Sequence, residues 1–600
     1  MYILGISSFY HDSGAALIKN GKILSAVQEE RFTRIKHDNN FPHNSIEYCL
    51  KENNLKIEDI GDIVFYENPK LKMDRILKTF ISNAPTNFRL FSKAFISQHK
   101  KWKQLKKEFP NIKYIKHHES HAASAFYPSP FKEAVIVTLD GVGEWDTASV
   151  SVGIDNKLKM IQTIEFPNSL GFLYSAFTYY CGFRVNSGEY KLMGLAPYGK
   201  PIYYDKILEN LIDVREDGSF SLNLDYFGFC NSDYMINDNF CKLFDGDSRE
   251  SESKITQKEC DLAASIQKVT EDIVFKICKN AKEITGQKNL CLAGGVALNC
   301  VSNGKLQRSG LFDNIWIQPA AGDAGGALGA ALYINHNKLN GKRIVKKNDS
   351  MNGSLLGPKF TNKEVKKFLD DKKINYKYYS NKDLFDVTAN HINDGNVIGW
   401  FQDRMEFGPR ALGSRSIVGD ARSSKMQSIM NLKIKFRESF RPFAPIVLDE
   451  DKDKYFDLDV SSPYMLLVSD VNKSITKKVK RNSKKLDVIK KVNEERSSIP
   501  AITHVDYSAR VQTVDKRHKS FYELLKSFKK LTGCSVLVNT SFNVRGEPIV
   551  HTPKDAYNCF MLTDMDYLVL GNYVLDKKSQ SEWSDELKTN YLNKFELDEL

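Results

Sequence analysis

Apolar residues along the chain fall into short runs bounded by polar turns, and their spacing switches between the two-residue period of strands and the 3.6-residue period of helices. Tyr2-Ile3-Leu4-Gly5-Ile6-Ser7 is the first such run. Ala15 to Lys19 and Lys22 to Val27 follow, joined by Asn20-Gly21, the favoured pair for a two-residue hairpin turn. Ala134 to Leu139 reads as a buried strand, as do Leu290-Cys291-Leu292-Ala293, Ile315-Trp316-Ile317, Val397 to Phe401 and Ser535 to Val538. Thr256-Gln257-Lys258-Glu259 is a capping box opening a long amphipathic helix through Ile266, Val269, Ile273, Ile277 and Ile284, which Gly286 stops. Thr361-Asn362-Lys363-Glu364 is a second capping box. Strands interleaved with helices predict an α/β protein.

Composition adds domain number and compartment. At 600 residues, 42% hydrophobic and 27% charged, the chain suits a globular protein with at least two cores. From His336 to Asn362 the sequence turns rich in Lys, Asn and Gly, and a domain boundary is expected there. The net charge of +12 would suit an acidic partner, but the basic residues are spread along the chain, which weakens a nucleic-acid role. The ten cysteines form no CxxC pair and no secretory leader precedes them, so reduced thiols in a cytoplasmic protein are expected. No apolar run approaches the roughly 20 residues of a membrane span.

The strongest chemical signal is His117-His118-Glu119-Ser120-His121. His117 and His121 share a helix face and can hold one metal, given ligands from elsewhere. The run ending at Leu139 delivers Asp140 and Ile315-Trp316-Ile317 leads through Gln318 to Asp323, so that each strand is read as ending in an Asp with glycine beside it, Gly141 and Gly322. The alternative is that the histidines are surface residues and both carboxylates cap following turns or helices. Strand, polar loop and hairpin at the N-terminus is also how an actin-like ATPase fold begins, and its phosphate-facing loop would here hold His11 and Asp12, able to orient a substrate or to satisfy turn amides. The charged run Gln28 to Arg34 reads as a solvated helix or turn. Arg184 to Gly199 suits a loop presenting Glu189 and Lys191 to a ribose or phosphate, or an ordinary Gly/Pro turn. Gly294-Gly295, between a strand and a helix that begins near Asn299, is compatible with a nucleotide.

The second half concentrates cations among Gly, Pro and aromatic residues: Arg404, Arg410, Arg415, Lys433, Lys435, Arg437, Arg441 and Arg510. With Asn539, Thr540 and Ser541 after a buried strand, they describe a pocket for a small polyanion, since guanidinium forks bind phosphate and carboxylate bidentately. Any one of these arginines could instead form a surface ion pair.

Ten segments in order, YHDSGAAL, HHESHAASA, TLDGVGEW, NSGEYKLMGLAPYGKP, LAGGVALNC, GDAGGALGAA, FGPRALGSRS, FRESFRPFAP, HVDYSARVQTV and NTSFN, resemble the O-carbamoyltransferase family that includes nodulation protein U and the cephalosporin and tobramycin carbamoyltransferases. The resemblance runs over nearly the whole chain. It implies an actin-like ATPase-fold domain similar to TsaD over residues 1–345, a YrdC-like α/β domain over 355–575, and a polar tail over 576–600. It also implies a two-step reaction, in which carbamoyl phosphate and ATP give carbamoyl adenylate and pyrophosphate, and an acceptor hydroxyl then takes the carbamoyl group and releases AMP. The implied metal is iron, Fe(2+), held by His117, His121, Asp140 and Asp323, with Mg(2+) accompanying ATP. His11 would be the general base, a role that an unperturbed imidazole suits. Glu189, Lys191, Gly294, Gly295 and Asn299 would hold the adenylate in the first domain. Arg410, Arg415, Lys435, Arg441, Arg510, Asn539 and Ser541 would hold carbamoyl phosphate and ATP in the second. The divergent Lys473 to Ser498 segment bears on surface properties. The partners expected are small molecules, and the acceptor's identity is not legible, because acceptor pockets are built from variable loops. Two other readings are a threonylcarbamoyl-type tRNA-modifying enzyme and a non-catalytic nucleotide-binding module with a structural metal.

Overall fold

The computed structural model describes residues 1–84, 88–435, 440–479 and 487–595. Arg437 and residues 480–486 of the lysine-rich segment lie outside the described residues. The chain divides into two compact units, one of Met1–Glu29 with His37–Met351, the other of Glu30–Lys36 with Asn352–Asp598.

The first unit repeats one topology twice. Strands β1 (Tyr2–Ser7), β2 (Gly14–Lys19) and β3 (Lys22–Gln28) form an antiparallel meander, and β4 (Ile60–Phe65) and β5 (Lys113–Tyr114) extend it in parallel on the β1 side. In the second sheet β6 (Glu133–Leu139), β7 (Asp146–Ile154) and β8 (Lys157–Glu165) form the meander. After a small hairpin of β9 (Ile212–Val214) and β10 (Phe220–Leu222), β11 (Asn289–Ala293) and β12 (Asn314–Ile317) add in parallel on the β6 side. The β2–β3 turn uses Asn20 and Gly21 at φ 49° and 81°, the left-handed pair such a turn requires. The helix Gln257–Thr285 starts at the Thr256/Glu259 capping box and stops at Gly286, φ 65°. Its buried stripe includes Ile266, Val269, Ile273 and Ile277, but Ile284 is exposed, so the stripe ends before the last turn.

The charged run after β3 does not form the solvated turn its alternation suggests. Glu29, Glu30 and Arg31 are buried. Glu29 accepts from Asn44 N and Nδ2 (3.1 and 2.6 Å) and from Ser45 N and Oγ (2.8 and 2.6 Å), satisfying the first amides of the helix His43–Glu52. Within the second unit Arg31 pairs with Glu30 at 3.0 Å and donates to Gly408 O at 2.8 Å. Arg34 donates to Ile549 O and Pro548 O, each at 2.7 Å, and to Glu547 at 3.0 Å.

The second unit is built on one mixed nine-stranded sheet. Its strands are β13 (Lys377–Tyr378), β14 (Ile398–Phe401), β15 (Arg415–Asp420), β16 (Ala444–Leu448), β17 (Leu467–Asp470), β18 (Ser508–Val514), β19 (Val536–Ser541), β20 (Tyr567–Leu570) and β21 (Tyr573–Asp576), in the order β13-β21-β20-β14-β15-β19-β16-β18-β17. The helices Asn381–Asn393 and Lys519–Thr532 pack on each other and on this sheet. Trp400 is fully buried between them, its indole donating to Gly413 O at 3.0 Å. After Asp576 the helix Asp585–Leu592 carries Tyr591, whose hydroxyl donates to Glu547 at 3.0 Å. All ten cysteines are unpaired thiols, and among the described residues no helix is long and apolar enough to cross a membrane.

Candidate metal centre and its surroundings

Three elements of the first unit bring the two histidines and two aspartates together. His117 and His121 lie one turn apart on the helix His117–Phe126, Asp140 follows β6, and Asp323 opens the helix Asp323–Tyr333 rather than ending a strand. His117 Nε2 is 3.0 Å from Asp140 Oδ2 and 3.6 Å from Asp323 Oδ1, and His121 Nε2 is 3.4 and 3.6 Å from the same atoms. The two nitrogens are 3.0 Å apart. Donors bound at about 2.1 Å to one ion stand about 3.0 Å apart at a right angle and about 3.4 Å apart at the tetrahedral angle, so these four atoms match the spacing of a single coordination shell. All four residues are buried, and Asp323 Oδ1 has no hydrogen-bond partner among the described residues. The donor set of two imidazoles and two carboxylates fits a divalent transition metal.

Small residues make this approach possible. The helices His117–Phe126 and Asp323–Tyr333 pack directly on each other. A Cβ on Gly329 would lie 2.7 Å from Ser120 C, 2.9 Å from Ser124 N and closer still to Ser120 O, and one on Gly326 would lie 2.6 Å from the Tyr66 ring. The segment GDAGGALGAA is therefore a packing surface that lets Asp323 reach the histidines. Two supporting groups lie outside the sequence prediction. Tyr66 donates its hydroxyl to Asp323 Oδ2 at 3.2 Å, and buried Glu144 accepts from His117 N at 3.1 Å to each oxygen and from Asn68 N at 2.5 Å. A carboxylate four residues after Asp140, in Gly-Val-Gly-Glu, was the available signal for Glu144. His118, off the ligand face, is instead within 2.6 Å of Thr138 Oγ1, and burial pushes its pKa well down.

Electrostatics agree with a cation site. Burial would raise the carboxyls of Asp140 and Asp323, but the facing imidazoles hold both below the ordinary range. Burial opposes charge on His121, and the two aspartates reverse this, raising it to about 9. His11 is the correction to the sequence expectation. Burial lowers its pKa, but the charge of Asp323, the hydrogen bond and charge of Asp12, and Asp140 together raise it to about 10. It is therefore not an unperturbed imidazole, because a field from residues distant in sequence acts on it. Its Nδ1 is 3.0 Å from Asp12 Oδ2, and the other oxygen of Asp12 is 2.8 Å from His37 Nδ1.

The residues expected to hold a nucleotide in this unit are mostly engaged by the protein. Gly294 adopts φ 89° and packs on the backbone of Leu139, where a Cβ would come 2.7 Å from Leu139 C. Gly295 N donates to Asp140 Oδ1 at 3.0 Å, which orients the carboxylate for the centre. The pair thus serves close approach of protein to protein. Asn299 caps the helix Cys300–Arg308 through Ser302 N (3.1 Å) and exchanges hydrogen bonds with Gln267 at 3.0 and 3.1 Å, so its amide is structural. Glu189 accepts from Ser175 Oγ at 2.8 Å and Asn186 N at 3.0 Å, and burial raises its pKa. Lys191 Nζ lies 5.8 Å over the Phe183 ring.

In the second unit two of the expected polyanion ligands have protein acceptors. Arg415 is fully buried, stacks 3.7 Å from the Phe401 ring centre, and donates to the carbonyls of Gln402, Ser414 and Pro358. Lys435 Nζ meets Ser541 O at 2.6 Å and Asn543 O and Oδ1 at 2.7 Å each, which uses all three of its donors. Asn539 Nδ2 bonds Ala411 O (3.0 Å) and Gln512 Oε1 (2.8 Å), and Gln512 Nε2 bonds Leu412 O (2.8 Å). These bonds pin the loop carrying Arg410 across β19 and β18, the strands that bear Ser541 and Arg510. Arg410, Arg441 and Arg510 are half-buried.

Comparison with known proteins gives the family. The Carbamoyltransferase N-terminus model matches residues 2–332 and the Carbamoyltransferase C-terminus model residues 389–577. An uncharacterized protein of Synechocystis sp. is 54% identical over the full length of both chains. Nodulation protein NolNO of Sinorhizobium fredii is 36% identical over 96% of this chain and 81% of its own. Among solved structures, component A of the Acidaminococcus fermentans (R)-2-hydroxyglutaryl-CoA dehydratase (16% identity, 56% of this chain, 97% of that chain, TM-score 0.26) and HypF of T. kodakarensis (13%, 57%, 48%, TM-score 0.29) are similar too weakly to carry an argument. The two matched models and the full-length relatives establish that this chain belongs to the carbamoyltransferase family.

Proposed function

We propose that the protein is an O-carbamoyltransferase that makes carbamoyl adenylate from carbamoyl phosphate and ATP and passes the carbamoyl group to a hydroxyl of a small-molecule acceptor. The observation that carries this reading is the buried four-donor set of His117, His121, Asp140 and Asp323 in a chain of the carbamoyltransferase family. The doubled sheet topology of the first unit supports an actin-like, TsaD-like transfer domain over residues 1–345. The second unit, over 355–575, is read as the YrdC-like, adenylate-forming domain, with Arg410, Arg441 and Arg510 holding the anionic substrates and Ser541 and Asn539 shaping the strand end they face.

His117, His121, Asp140 and Asp323 would hold a divalent cation, iron by the family resemblance, which would supply Lewis-acid polarisation of a carbamoyl or phosphoryl oxygen. The chain's own residues do the rest. Asp12 Oδ2 holds His11 Nδ1 at 3.0 Å, fixing the tautomer that leaves Nε2 to take the acceptor's proton. The raised affinity of His11 for a proton comes first from Asp323, then from the hydrogen bond and charge of Asp12 and last from Asp140, and a cation held by Asp323 and Asp140 would weaken their share of it. The acceptor oxygen then bonds to the carbamoyl carbon as the bond to adenylate breaks and AMP leaves. Glu189 interacts electrostatically with His11, Gly295 acts through Asp140, and Lys191 and Gly294 are read with them as the adenylate side of this region.

Mass spectrometry of the purified protein given carbamoyl phosphate, ATP and a panel of hydroxylated acceptors tests the reading. Pyrophosphate release dependent on carbamoyl phosphate, with an acceptor gaining one carbamoyl group, is expected. Release supported instead by bicarbonate and threonine would assign the chain to threonylcarbamoyl chemistry.

A further inference from the structure

The helix Pro69–Ser82 carries Lys72 and Arg75 three residues apart on one face. Lys72 Nζ lies 5.5 Å from the Tyr10 ring centre, and that ring is 4.7 Å from the His11 imidazole, so this face borders the proton-moving residue. Lys72 is committed to Glu67, at 3.0 and 2.9 Å. Arg75 is not committed. Its guanidinium lies 5.1 Å from the Phe166 ring centre, its Nε is buried without a partner, and it makes no hydrogen bond or ion pair among the described residues. The carboxylates around it are engaged: Glu67 by Lys72, Glu144 by the amides of Asn68 and His117, and Asp74 by Lys78 at 2.9 Å and the Trp145 indole at 3.3 Å. Phe166 packs on Phe172 at 6.4 Å, and Phe172 lies against Gly141, next to the ligand Asp140. Arg75 therefore lies against the Phe166 ring and within the field of Tyr10, which is 36% exposed.

Arg75 is half-buried, its Nε is out of water without a partner, and the carboxylates near it are spent on other groups, so its guanidinium is left able to take an anion. Its planar fork matches the paired oxygens of a carboxylate or phosphate. We infer that Arg75 anchors an anionic group of the hydroxylated acceptor, so that the enzyme selects acidic acceptors over neutral ones of the same skeleton. The inference rests on the O-carbamoyltransferase reading and narrows its acceptor class. Lys72 and Glu67 hold Tyr10 beside the same space, and the acceptor hydroxyl would face His11 while its oxyanion meets Arg75.

The test is arginine modification of the full-length, metal-loaded protein by phenylglyoxal, with the Arg75 peptide followed by mass spectrometry. Glycerol 3-phosphate, glycerate, glycerol and AMP are compared as protectants. Arg75 is expected to react, and glycerol 3-phosphate or glycerate to slow its modification about tenfold, on the scale of a charge-assisted bond, while glycerol and AMP leave the rate unchanged. Which acid protects separates a phosphate from a carboxylate. The inference is overturned if Arg75 does not react, if neither acid protects, if glycerol protects equally, or if AMP protects, which would give the cation to the nucleotide. Pyrophosphate release is measured on the same preparation. Its absence with Arg75 still protected counts against the carbamoyl-adenylate reading and leaves the anion site standing.

Discussion

Substituting Gly329 by Ala should damage the metal centre without touching a ligand. The added Cβ would meet only backbone, Ser120 C at 2.7 Å and Ser124 N at 2.9 Å, with Ser120 O closer still, so no side chain can swing away. Restoring an ordinary contact of about 3.5 Å requires the helices His117–Phe126 and Asp323–Tyr333 to part by at least about 0.8 Å. Metal–ligand distances tolerate only about 0.2 Å, so Asp323 leaves the shell that His117 and His121 define. Overpacking of this kind costs about 1–3 kcal/mol, against a gain of up to about 1 kcal/mol from replacing a helical glycine by alanine. Gly322→Ala is the control, since a Cβ there meets nothing within 4 Å although it adjoins Asp323. Elemental analysis with denaturant unfolding of both variants and the parent reads the result. Gly329→Ala should lose most of its metal and show a lower unfolding midpoint, with Gly322→Ala near the parent. Full metal content and parental stability in Gly329→Ala would refute the argument that helix contact sets the site.

Three further outcomes are expected. Arg441→Ala should abolish pyrophosphate release that depends on carbamoyl phosphate, and unchanged release would remove the residue from the anion site. Lys435→Met should lower stability by about 3 kcal/mol, because three acceptors lose a charged donor in a buried setting; a denaturant midpoint equal to the parent's would show these bonds to be dispensable. Asp451 governs an acid limb: burial raises its pKa, but Lys454 and Lys529, each 2.6 Å from a carboxylate oxygen, bring it to about 2 from an ordinary 3.8. A lowered folded pKa gives stability that is present above pH ~3.8 and lost as pH falls toward ~2, about 1–2 kcal/mol once the exposure of both lysines is allowed for. Asp451→Asn should flatten that limb relative to the parent, and an unchanged difference in stability between pH 4 and pH 2 would count against it.

The sequence made the four-donor cluster legible because its parts are local signals: two histidines at one helical spacing, and two aspartates beside glycine after apolar runs. It misplaced Asp323 at a strand end, since a helix N-terminus and a strand end leave the same apolar run behind them. The surroundings of Arg415 and Lys435 were not legible because a cation's acceptors are not written near it. Theirs are carbonyls of Pro358, Gln402, Ser541 and Asn543, brought in by tertiary folding. Gly294 and Gly295 signalled a close approach, but the sequence could not say that the approaching groups are Leu139 and Asp140. Burial of Glu29 and Arg31 was hidden for the same reason, as was the field that Asp323 exerts on His11.

Paired assays on Asp323→Ala and His117→Ala test the division of labour most directly. Metal content, carbamoyl-phosphate-dependent pyrophosphate release and carbamoyl transfer are measured on one preparation of each variant. Loss of metal and of transfer with pyrophosphate release retained is predicted, because the four donors belong to the first unit and the cations of Arg410, Arg441 and Arg510 to the second. A variant that keeps its full metal and still transfers carbamoyl groups would contradict the four-ligand centre.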